Sequence, residues 1–587
     1  MINDLVQLFK KAYEKNGDKI ILDRYRPKNG LYIRINKDGR FDKTAIGKDV
    51  QEDDLYKWFR DRDYYSILLA MNKSVDPKKK IHSNNYLTLF MKKNIFPAVG
   101  EEAITRSEFT ERVIEYYQIL EAPEKKYSDK KTKELMENIN IHTDKEVIER
   151  NKNYILENLD EIIEIIKSEN FDGYVSLFFD EDLAVYEREC KKYMVPKIFN
   201  KNDFNIAVGD KIWGLSNYNM GSNSKKPYLE LKTTKFKVPY RTTVEDAVLT
   251  KKFFDWLNYQ PERELLIPED YDFERQIESA KNNKHGNACY YIYVSKGQEV
   301  TIEDFEYLPR YNKEIDFKVL NVLQLGKWEN DKLHLIDDEY FTNRDELELY
   351  TNLQFFNKRL ISSYFQEPKI KAGEFSKIMQ NLLMVSRKAF HSFFRKAVEE
   401  DLKSFIEDIG MEIIKEQIRY GGNRTKAAFS YNLWAGFLDY YSIKGGEQMA
   451  DRIKGLLDSI STKITSGEII SCESDDEFYF TAGQLAYFIL DKSEADKKSF
   501  DMAEPFLRAR SDVEIKKQLK YALDRYTHAI DMHNIKFKNA LSMVLGYKAE
   551  GNYKDYEDIF IAGLLAKNIF YEKREKKSDN KKEGEKI

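Results

Sequence analysis

Hydrophobic and polar residues follow two different patterns along the chain. Up to about residue 365, short apolar runs alternate with helical segments and polar loops. Period-two runs rich in β-branched and aromatic residues predict strands. The clearest are "KIILDRY", "GLYIRIN", "YVSLFF" and "CYYIYVS". The opening "MINDLVQLFKKAYEKNG" and residues 146–166 have helical periodicity instead. Residues 1–365 are therefore predicted to form a mixed α/β region of one or two subdomains.

Long helical patterns take over beyond Gln366. One apolar stripe has spacings of three, four and seven, which is typical of a helix face that packs on a core; it comprises Leu383, Phe390, Phe394, Val398, Leu402, Phe405 and Ile409. Further helices are predicted at 427–441, 451–460, 482–490 and 511–534. Residues 366–572 are thus predicted to form an α-helical bundle, and the apolar-poor residues 573–587 a disordered charged tail. The fold class that follows is α+β.

Composition limits the kinds of site the chain can build. The 587 residues include three cysteines, and Cys190, Cys289 and Cys472 are far apart with no CxxC pair. A thiolate zinc site is therefore not expected, and no metal or other cofactor is predicted. No run approaches the roughly 18 apolar residues of a membrane-spanning helix. We expect a cytoplasmic protein without a membrane partner.

Positive charge is concentrated in a few segments, although the net charge is −4. Residues 71–96 carry six lysines and one aspartate, and residues 369–398 carry seven basic residues and one acidic residue. Between Gly221 and Thr243 there are five lysines and one arginine against one glutamate. Because exposed charges are screened beyond about 10 Å at 0.1 M salt, confined basic segments would keep contacts with phosphates local.

The segment that starts "GSNSKKPYLELK" at Gly221 has the residue types of a duplex-probing loop. Its glycine and serines can expose backbone N–H groups to a phosphate. The amides that can read a base edge are Asn217, Asn219 and Asn223, and the cations for the DNA backbone are Lys225, Lys226 and Lys232. A solvated, lysine-rich hairpin explains the same pattern, and the residues alone leave both interpretations open.

A catalytic alternative lies in the same segment. Asp210 is followed twenty residues later by Glu230-Leu231-Lys232. An aspartate followed by E-x-K is how restriction-type nucleases hold Mg²⁺ and position an attacking water. The pattern also arises by chance in a chain rich in Lys and Glu. The nuclease is therefore kept as the alternative to a non-catalytic, nucleic-acid-binding protein.

Several motifs together resemble a known family. They are "NKSVDPKKKIHSNNYLTLFMK" (72–92), "GSNSKKPYLELKT" (221–233) followed by "VPY", "FTAGQLAYFIL" and "EPFLRARS". In this order they resemble the large subunit of the type I-B CRISPR Cascade complex. The resemblance implies a subunit that is not an enzyme and that recognises the protospacer-adjacent motif on duplex DNA and aids strand opening. The implied partners are the guide RNA, target double-stranded DNA, other Cascade subunits and a separate helicase–nuclease.

The resemblance also assigns roles to particular residues. The loop before "KKP" is the family's motif reader, which corresponds here to Asn223, Lys225 and Lys226. The tract from Lys78 to Leu87 would contact guide RNA or a neighbouring subunit through Lys78, Lys79 and Lys80 and through Asn84 and Asn85. A structural alternative is a helix that starts at Ser83 or Asn84 and buries Tyr86, Leu87, Phe90 and Met91.

The helical C-terminal region resembles the Cascade small subunit, which holds DNA. Arg387, His391 and Arg395 are spaced i, i+4, i+8, with Lys388 and Lys396 beside them and no acid between residues 387 and 397. This spacing predicts a basic ridge for a DNA backbone; an ordinary solvated helix face is the alternative. In the family this region is also made separately from an internal start, for which Met379, Met384, Met411 and Met449 are candidates.

Overall fold

A computed structural model describes residues 2–571, apart from 71–72, 138, 140–143, 200, 217–240, 261–262, 270, 272, 274–287, 298–299, 330–331, 421–422, 444–445, 467–470, 494–499 and 532. It confirms a mixed α/β N-terminal region and a mostly helical C-terminal half. Two units divide the chain near Leu308. In the described part of the chain, no helix has the length and apolar character needed to cross a membrane.

The first unit contains ten strands and ten helices among its described residues. The strands are β1 (Gly30–Ile35), β2 (Phe41–Ile46), β3 (Thr88–Lys92), β4 (Tyr174–Phe179), β5 (Ile206–Val208), β6 (Lys211–Gly214), β7 (Thr242–Thr243), β8 (Glu264–Pro268), β9 (Cys289–Lys296) and β10 (Val300–Leu308). The helices are α1 (Ile2–Asn16), α2 (Lys19–Leu22), α3 (Asp54–Ser66), α4 (Arg106–Glu121), α5 (Pro123–Lys126), α6 (Lys130–Glu137), α7 (Lys145–Glu157), α8 (Leu159–Ser168), α9 (Leu183–Met194) and α10 (Val244–Asn258).

A four-stranded sheet of order β2-β1-β4-β3 forms the centre of this unit. β1 runs parallel to β4 and antiparallel to β2, while β3 is antiparallel to β4. β1 and β4 are buried almost throughout, as expected for a parallel pair covered on both faces. Phe59 of α3 packs on the sheet against Tyr32 and Phe178. Two smaller sheets, β10-β9-β8 and β5-β6-β7, complete the unit.

The second unit is a helical bundle with two small β-hairpin-like sheets. Its strands are β11 (Glu314–Val319), β12 (Gly326–Glu329), β13 (Lys332–Leu335) and β14 (Glu339–Asn343). Its helices are α11 (Arg344–Phe356), α12 (Lys377–Lys396), α13 (Glu400–Lys403), α14 (Ile406–Arg419), α15 (Arg424–Tyr440), α16 (Gly446–Thr465), α17 (Asp475–Leu490), α18 (Glu504–Leu507), α19 (Asp512–Tyr526), α20 (Ile535–Gly546) and α21 (Glu557–Leu565).

Close helix packing in the bundle depends on glycines. A Cβ on Gly483 of α17 would lie 2.3 Å from the Phe560 carbonyl oxygen, and one on Gly563 of α21 would lie 2.2 Å from the Phe480 carbonyl oxygen. Gly410 of α14 likewise leaves room for the ring of Trp434. The motif "FTAGQLAYFIL" is therefore a packing motif in which small residues bring two backbones together.

Several elements differ from the predicted ones. "KIILDRY" begins as helix α2 and not as a strand, and the helix predicted at 146–166 is divided into α7 and α8 at Asn158. The stripe from Leu383 to Ile409 spans three helices, because Ala397 adopts a left-handed conformation (φ 55°) and ends α12. The boundary near Leu308 replaces the predicted one at 365, since Phe317 of β11 packs on Phe437 of α15. The tail at 573–587 lies outside the described residues.

Candidate nucleic-acid interface

Part of the predicted DNA-reading site cannot be placed. Asn217, Asn219, Asn223, Lys225, Lys226, Glu230 and Lys232 all lie outside the described residues. Asp210 of the nuclease alternative is exposed, in the turn between β5 and β6. Within the described ranges, no three His, Cys, Asp or Glu side chains are grouped as metal ligands. The described part of the predicted site therefore consists of the lysine tract and helix α12.

A turn built around one buried carboxylate presents the predicted lysines. We call residues Asp76–Lys80 the lysine turn. Asp76 is fully buried, and its carboxylate accepts hydrogen bonds from the backbone N–H groups of Lys78 (3.0 Å), Lys80 (2.6 Å) and Ile81 (3.0 Å). The Arg112 guanidinium lies 3.8 Å from the same carboxylate. Such a charge-assisted network fixes the backbone of the turn.

The lysine side chains themselves are available. Lys78 and Lys79 are exposed and Lys80 is half-buried. None of the three forms an ion pair with any residue that the structure describes. Lys79 has a left-handed backbone (φ 57°), and its carbonyl oxygen lies 3.0 Å from Nε2 of His82. The turn therefore combines a fixed backbone with unpaired cations.

Further cations surround the lysine turn. Burial lowers the pKa of His82, and the positive charges of Lys92 and Lys28 lower it further, which places both lysines near this ring. Lys126 donates to the Ser74 carbonyl at 2.7 Å. Burial lowers the pKa of Lys126 to about 8, and the charge of Lys197 adds to the shift. Neighbouring like charges of this kind favour a polyanion as ligand. Lys28 and Lys92 were not predicted as site residues, because their only signal in the sequence is their place in basic stretches.

A cavity of about 720 Å³ lies beside the turn. His82 connects the two, since its Nδ1 lies 3.0 Å from the Tyr174 hydroxyl in the cavity wall. Arg26 and Lys28 also line this wall. At its interior lies Asp63, which is 3% exposed and accepts a hydrogen bond from the Tyr25 hydroxyl. Burial raises the pKa of Asp63 to about 7.

Asn84 and Asn85 are not surface contacts, which corrects the prediction for them. Both are almost fully buried. Asn84 Nδ2 donates to the Ile67 carbonyl (2.7 Å), and Asn85 Nδ2 donates to Ser66 Oγ (3.0 Å). Asn85 Oδ1 accepts from the Leu87 backbone N–H. Their amides form hydrogen bonds with buried groups, so in this tract the lysines remain as the predicted contacts available to a ligand.

The alternative prediction for the same tract, a helix that starts at Ser83 or Asn84, is also wrong. Residues 81–91 form no helix. Ile81 pairs with Met91, and the His82 N–H donates to the Phe90 carbonyl at 2.8 Å, so the tract folds back on β3. The predicted buried residues Tyr86, Leu87, Phe90 and Met91 are indeed buried, but in a strand and its approach.

The predicted basic ridge on α12 does not exist as a surface. Arg387 donates to the carbonyls of Ser363 (2.7 Å) and Gln366 (3.0 Å). Arg395 pairs with buried Glu348 at 2.6 Å, and Lys396 is 5% exposed. The central His391 lies between the rings of Tyr364 and Phe365. Of the residues proposed for DNA on this helix, only Lys388 is exposed.

Comparison with known proteins adds no assignment: no family model, no curated protein and no solved structure matches the chain.

Proposed function

We propose that the chain is the non-catalytic large subunit of a type I-B CRISPR Cascade complex. The observation that carries the proposal is the lysine turn, where a buried carboxylate fixes the backbone and Lys78, Lys79 and Lys80 form no ion pair with a described residue. The four motifs named above agree with it in order along the chain.

The lysine turn is the proposed contact with the guide RNA or a neighbouring subunit. Lysine is a flexible point charge that suits a phosphate backbone better than a base edge. The fixed turn lowers the entropy cost of binding, because the backbone is ordered before the ligand arrives. Lys28 and Lys92 extend the positive field around it.

Duplex recognition is assigned to the segment before and within "GSNSKKP". Asn217, Asn219 and Asn223 test base edges, and Lys225, Lys226 and Lys232 bind phosphates; this role rests on sequence and resemblance. Each good base contact is worth roughly 1–3 kcal/mol of discrimination. Recognition opens the helix locally, so that the guide begins pairing and a separate helicase–nuclease is recruited.

The test is a titration of the complex, reconstituted with guide RNA and partner subunits but without the helicase–nuclease. Duplexes that differ only in the flanking motif are titrated in Mg²⁺. We expect motif-dependent binding of intact DNA, with discrimination lost in Asn223→Ala. Replacing Lys78, Lys79 and Lys80 by Gln should weaken guide-RNA binding and reduce its logarithmic salt slope by about 2, at roughly 0.7 per lost phosphate contact.

A matched control removes the same charge elsewhere. Lys48, Lys133 and Lys167 are also exposed in the first unit, and no described residue pairs with them. Their triple replacement by Gln should leave the salt slope unchanged. Equal loss in both triple variants would contradict the assignment of the lysine turn. Cleavage of the duplex that disappears in Glu230→Ala would overturn the proposal in favour of the nuclease.

A further inference from the structure

A second basic site lies within the helical bundle, at the motif "EPFLRARS". A cleft of about 810 Å³ opens between the end of α14, the loop before α19 and the turn before α21. We call it the arginine cleft. Its lining consists of Lys415, Arg419, Leu507, Arg508, Ala509, Arg510, Glu514, Asn552, Tyr553, Lys554 and Glu557. This volume is in the range of sites that bind small molecules or single nucleotides.

Two buried hydrogen-bond donors in the lining have no partner among the residues that the structure describes. Tyr553 is 6% exposed, and its hydroxyl makes no hydrogen bond with any of them. Arg419 Nε is likewise buried and unsatisfied, although another nitrogen of this guanidinium donates to Glu416. Neither residue has an interaction elsewhere in the described chain that would satisfy these atoms. Unsatisfied buried donors are rare in folded proteins and call for an acceptor.

The charges around the cleft leave two cations unpaired. Lys415 pairs with Glu412 and Glu557, and Arg508 pairs with Glu504. In contrast, Arg510 and Lys554 are exposed and form no ion pair with described residues. The lining holds two acids against five cations; Glu557 pairs with Lys415, and the Glu514 carboxylate accepts from a backbone N–H, so positive charge remains in excess.

Local hydrogen bonds order the backbone at Arg510 and Lys554. The carboxylate of Glu514 accepts from the Arg510 backbone N–H at 2.7 Å, while the Glu514 N–H donates to Ser511 Oγ. Ser511 thus caps the N-terminus of α19, and the Glu514 side chain reaches back to the residue before the cap. On the other wall, Asn552 Oδ1 accepts from the Lys554 N–H at 3.1 Å. The two side chains therefore extend from backbone that is already ordered.

We propose that the arginine cleft binds a phosphate group of a single-stranded nucleic acid. Tyr553 Oη and Arg419 Nε supply buried donors, and Arg510 and Lys554 supply charge. Guanidinium groups match the oxygens of phosphate in geometry and number. A duplex carries its phosphates on a broad convex surface, so donors buried in a cleft are reached more easily by a single strand. The inference rests on the cleft alone and does not require the proposed function.

The test uses the isolated full-length chain and a short fluorescein-labelled oligodeoxythymidylate, with binding followed by anisotropy at several salt concentrations. Replacing Arg510 and Lys554 together by Gln should weaken binding about tenfold and reduce the salt slope by about 1.4, at 0.7 for each lost phosphate contact. Tyr553→Phe keeps the ring and removes the hydroxyl. It should weaken binding about fivefold with an unchanged slope, because it removes a neutral donor.

The control double variant replaces Lys517 and Lys520 by Gln. Both are exposed on α19 but do not line the cleft. A loss of affinity equal to that of the cleft variant would overturn the proposal, because the binding would then be a general charge effect. Unchanged affinity in Tyr553→Phe would also overturn it, as would equal competition by a glutamate peptide, which would identify a carboxylate site. Circular-dichroism melting confirms that each variant is folded.

The outcome is separable from that of the titration of the complex. Loss of motif-dependent duplex binding with intact single-strand binding at the cleft contradicts only the proposed function. The opposite result contradicts only the arginine cleft.

Discussion

The lysine turn and the helix α12 carry the same sequence signal and use it in opposite ways. Both are short segments with several cations and almost no acid. In the lysine turn, Lys78 and Lys79 are exposed and pair with no acid in the described part of the chain. In α12, Arg387 and Arg395 bind interior oxygens, and Lys396 is buried. A local excess of positive charge therefore does not show whether the charge is available to a ligand.

The difference arises from where the compensating oxygens lie along the chain. Arg395 meets Glu348, a residue of α11, and Arg387 meets carbonyls that precede α12. A count restricted to residues 387–397 misses both. In the lysine turn the acid is close in sequence, but the Asp76 carboxylate contacts backbone N–H groups and the Arg112 guanidinium and forms no ion pair with the three lysines.

The largest expected effect tests the interior role of Arg395. Arg395→Ala removes a cation that pairs with Glu348, which is 1% exposed, while the Tyr364 hydroxyl still donates to this carboxylate. Removing one partner of a buried pair costs about 4 kcal/mol of unfolding free energy. Lys388→Ala, on the exposed face of the same helix, should cost less than about 0.5 kcal/mol. Urea unfolding measures the change in unfolding free energy of both variants. An equal change in both would contradict the interior role of Arg395 and favour the predicted basic ridge.

The next effect concerns a buried carboxyl that has no such partner. Burial raises the pKa of Asp63 from 3.8 to about 7, and no described cation forms an ion pair with it. Between these two values the folded chain keeps this proton while the unfolded chain releases it. Asp63 therefore makes the protein less stable as the pH rises through this window, by about 4 kcal/mol in total.

Asp63→Asn removes this titration, so its unfolding free energy should decline less than that of the wild type between pH 4.5 and 7.5. Chemical denaturation at several pH values measures the difference. Asp49→Asn changes an exposed carboxyl and serves as the control. Parallel pH profiles for wild type and Asp63→Asn would show that this carboxyl does not titrate in the window.

A smaller effect is expected at the centre of the lysine turn. Asp76→Ala removes the acceptor of three backbone N–H groups, while water replaces part of the loss because the turn is at the surface. We expect destabilisation of about 2 kcal/mol. Asp76→Asn keeps one acceptor oxygen and should cost about half as much. Guide-RNA affinity should decrease more in Asp76→Ala than in Asp76→Asn. An unchanged affinity in Asp76→Ala would show that RNA binding does not depend on the hydrogen bonds that fix the turn.

Periodicity predicted much of the fold because it reports burial directly. The strands at "GLYIRIN", "YVSLFF" and "CYYIYVS" are confirmed as β1, β4 and β9. The ends of individual helices within long apolar patterns were not predicted. They depend on single residues such as Ala397, and nothing about an alanine in the sequence indicates a left-handed backbone. The unit boundary was also missed, because strands β11 and β14 pack on helices that follow them in sequence.

Site residues were less predictable, because their roles depend on partners distant in sequence. Asn84 and Asn85 were placed in a basic surface tract, yet Ser66 and Ile67 take up their amides. The motif "EPFLRARS" supplies part of the lining of the arginine cleft. The unsatisfied donors of the cleft belong to Arg419 and Tyr553, which lie far from this motif in the chain. Among the site residues that the structure describes, Lys78, Lys79, Lys80 and Lys388 were predicted from local sequence in a form that the geometry leaves open to a ligand.

The smallest expected change in stability belongs to these lysines. Their side chains make no ion pair with described residues, so replacing all three by Gln should alter the unfolding free energy by less than about 0.5 kcal/mol. The same variant should lose guide-RNA affinity and salt dependence. Urea unfolding and RNA titration on one preparation test both expectations. A destabilisation comparable to that of Arg395→Ala would mean that the lysines stabilise the fold, as Arg387 and Arg395 of α12 do. It would contradict the proposal that the lysine turn is a binding surface.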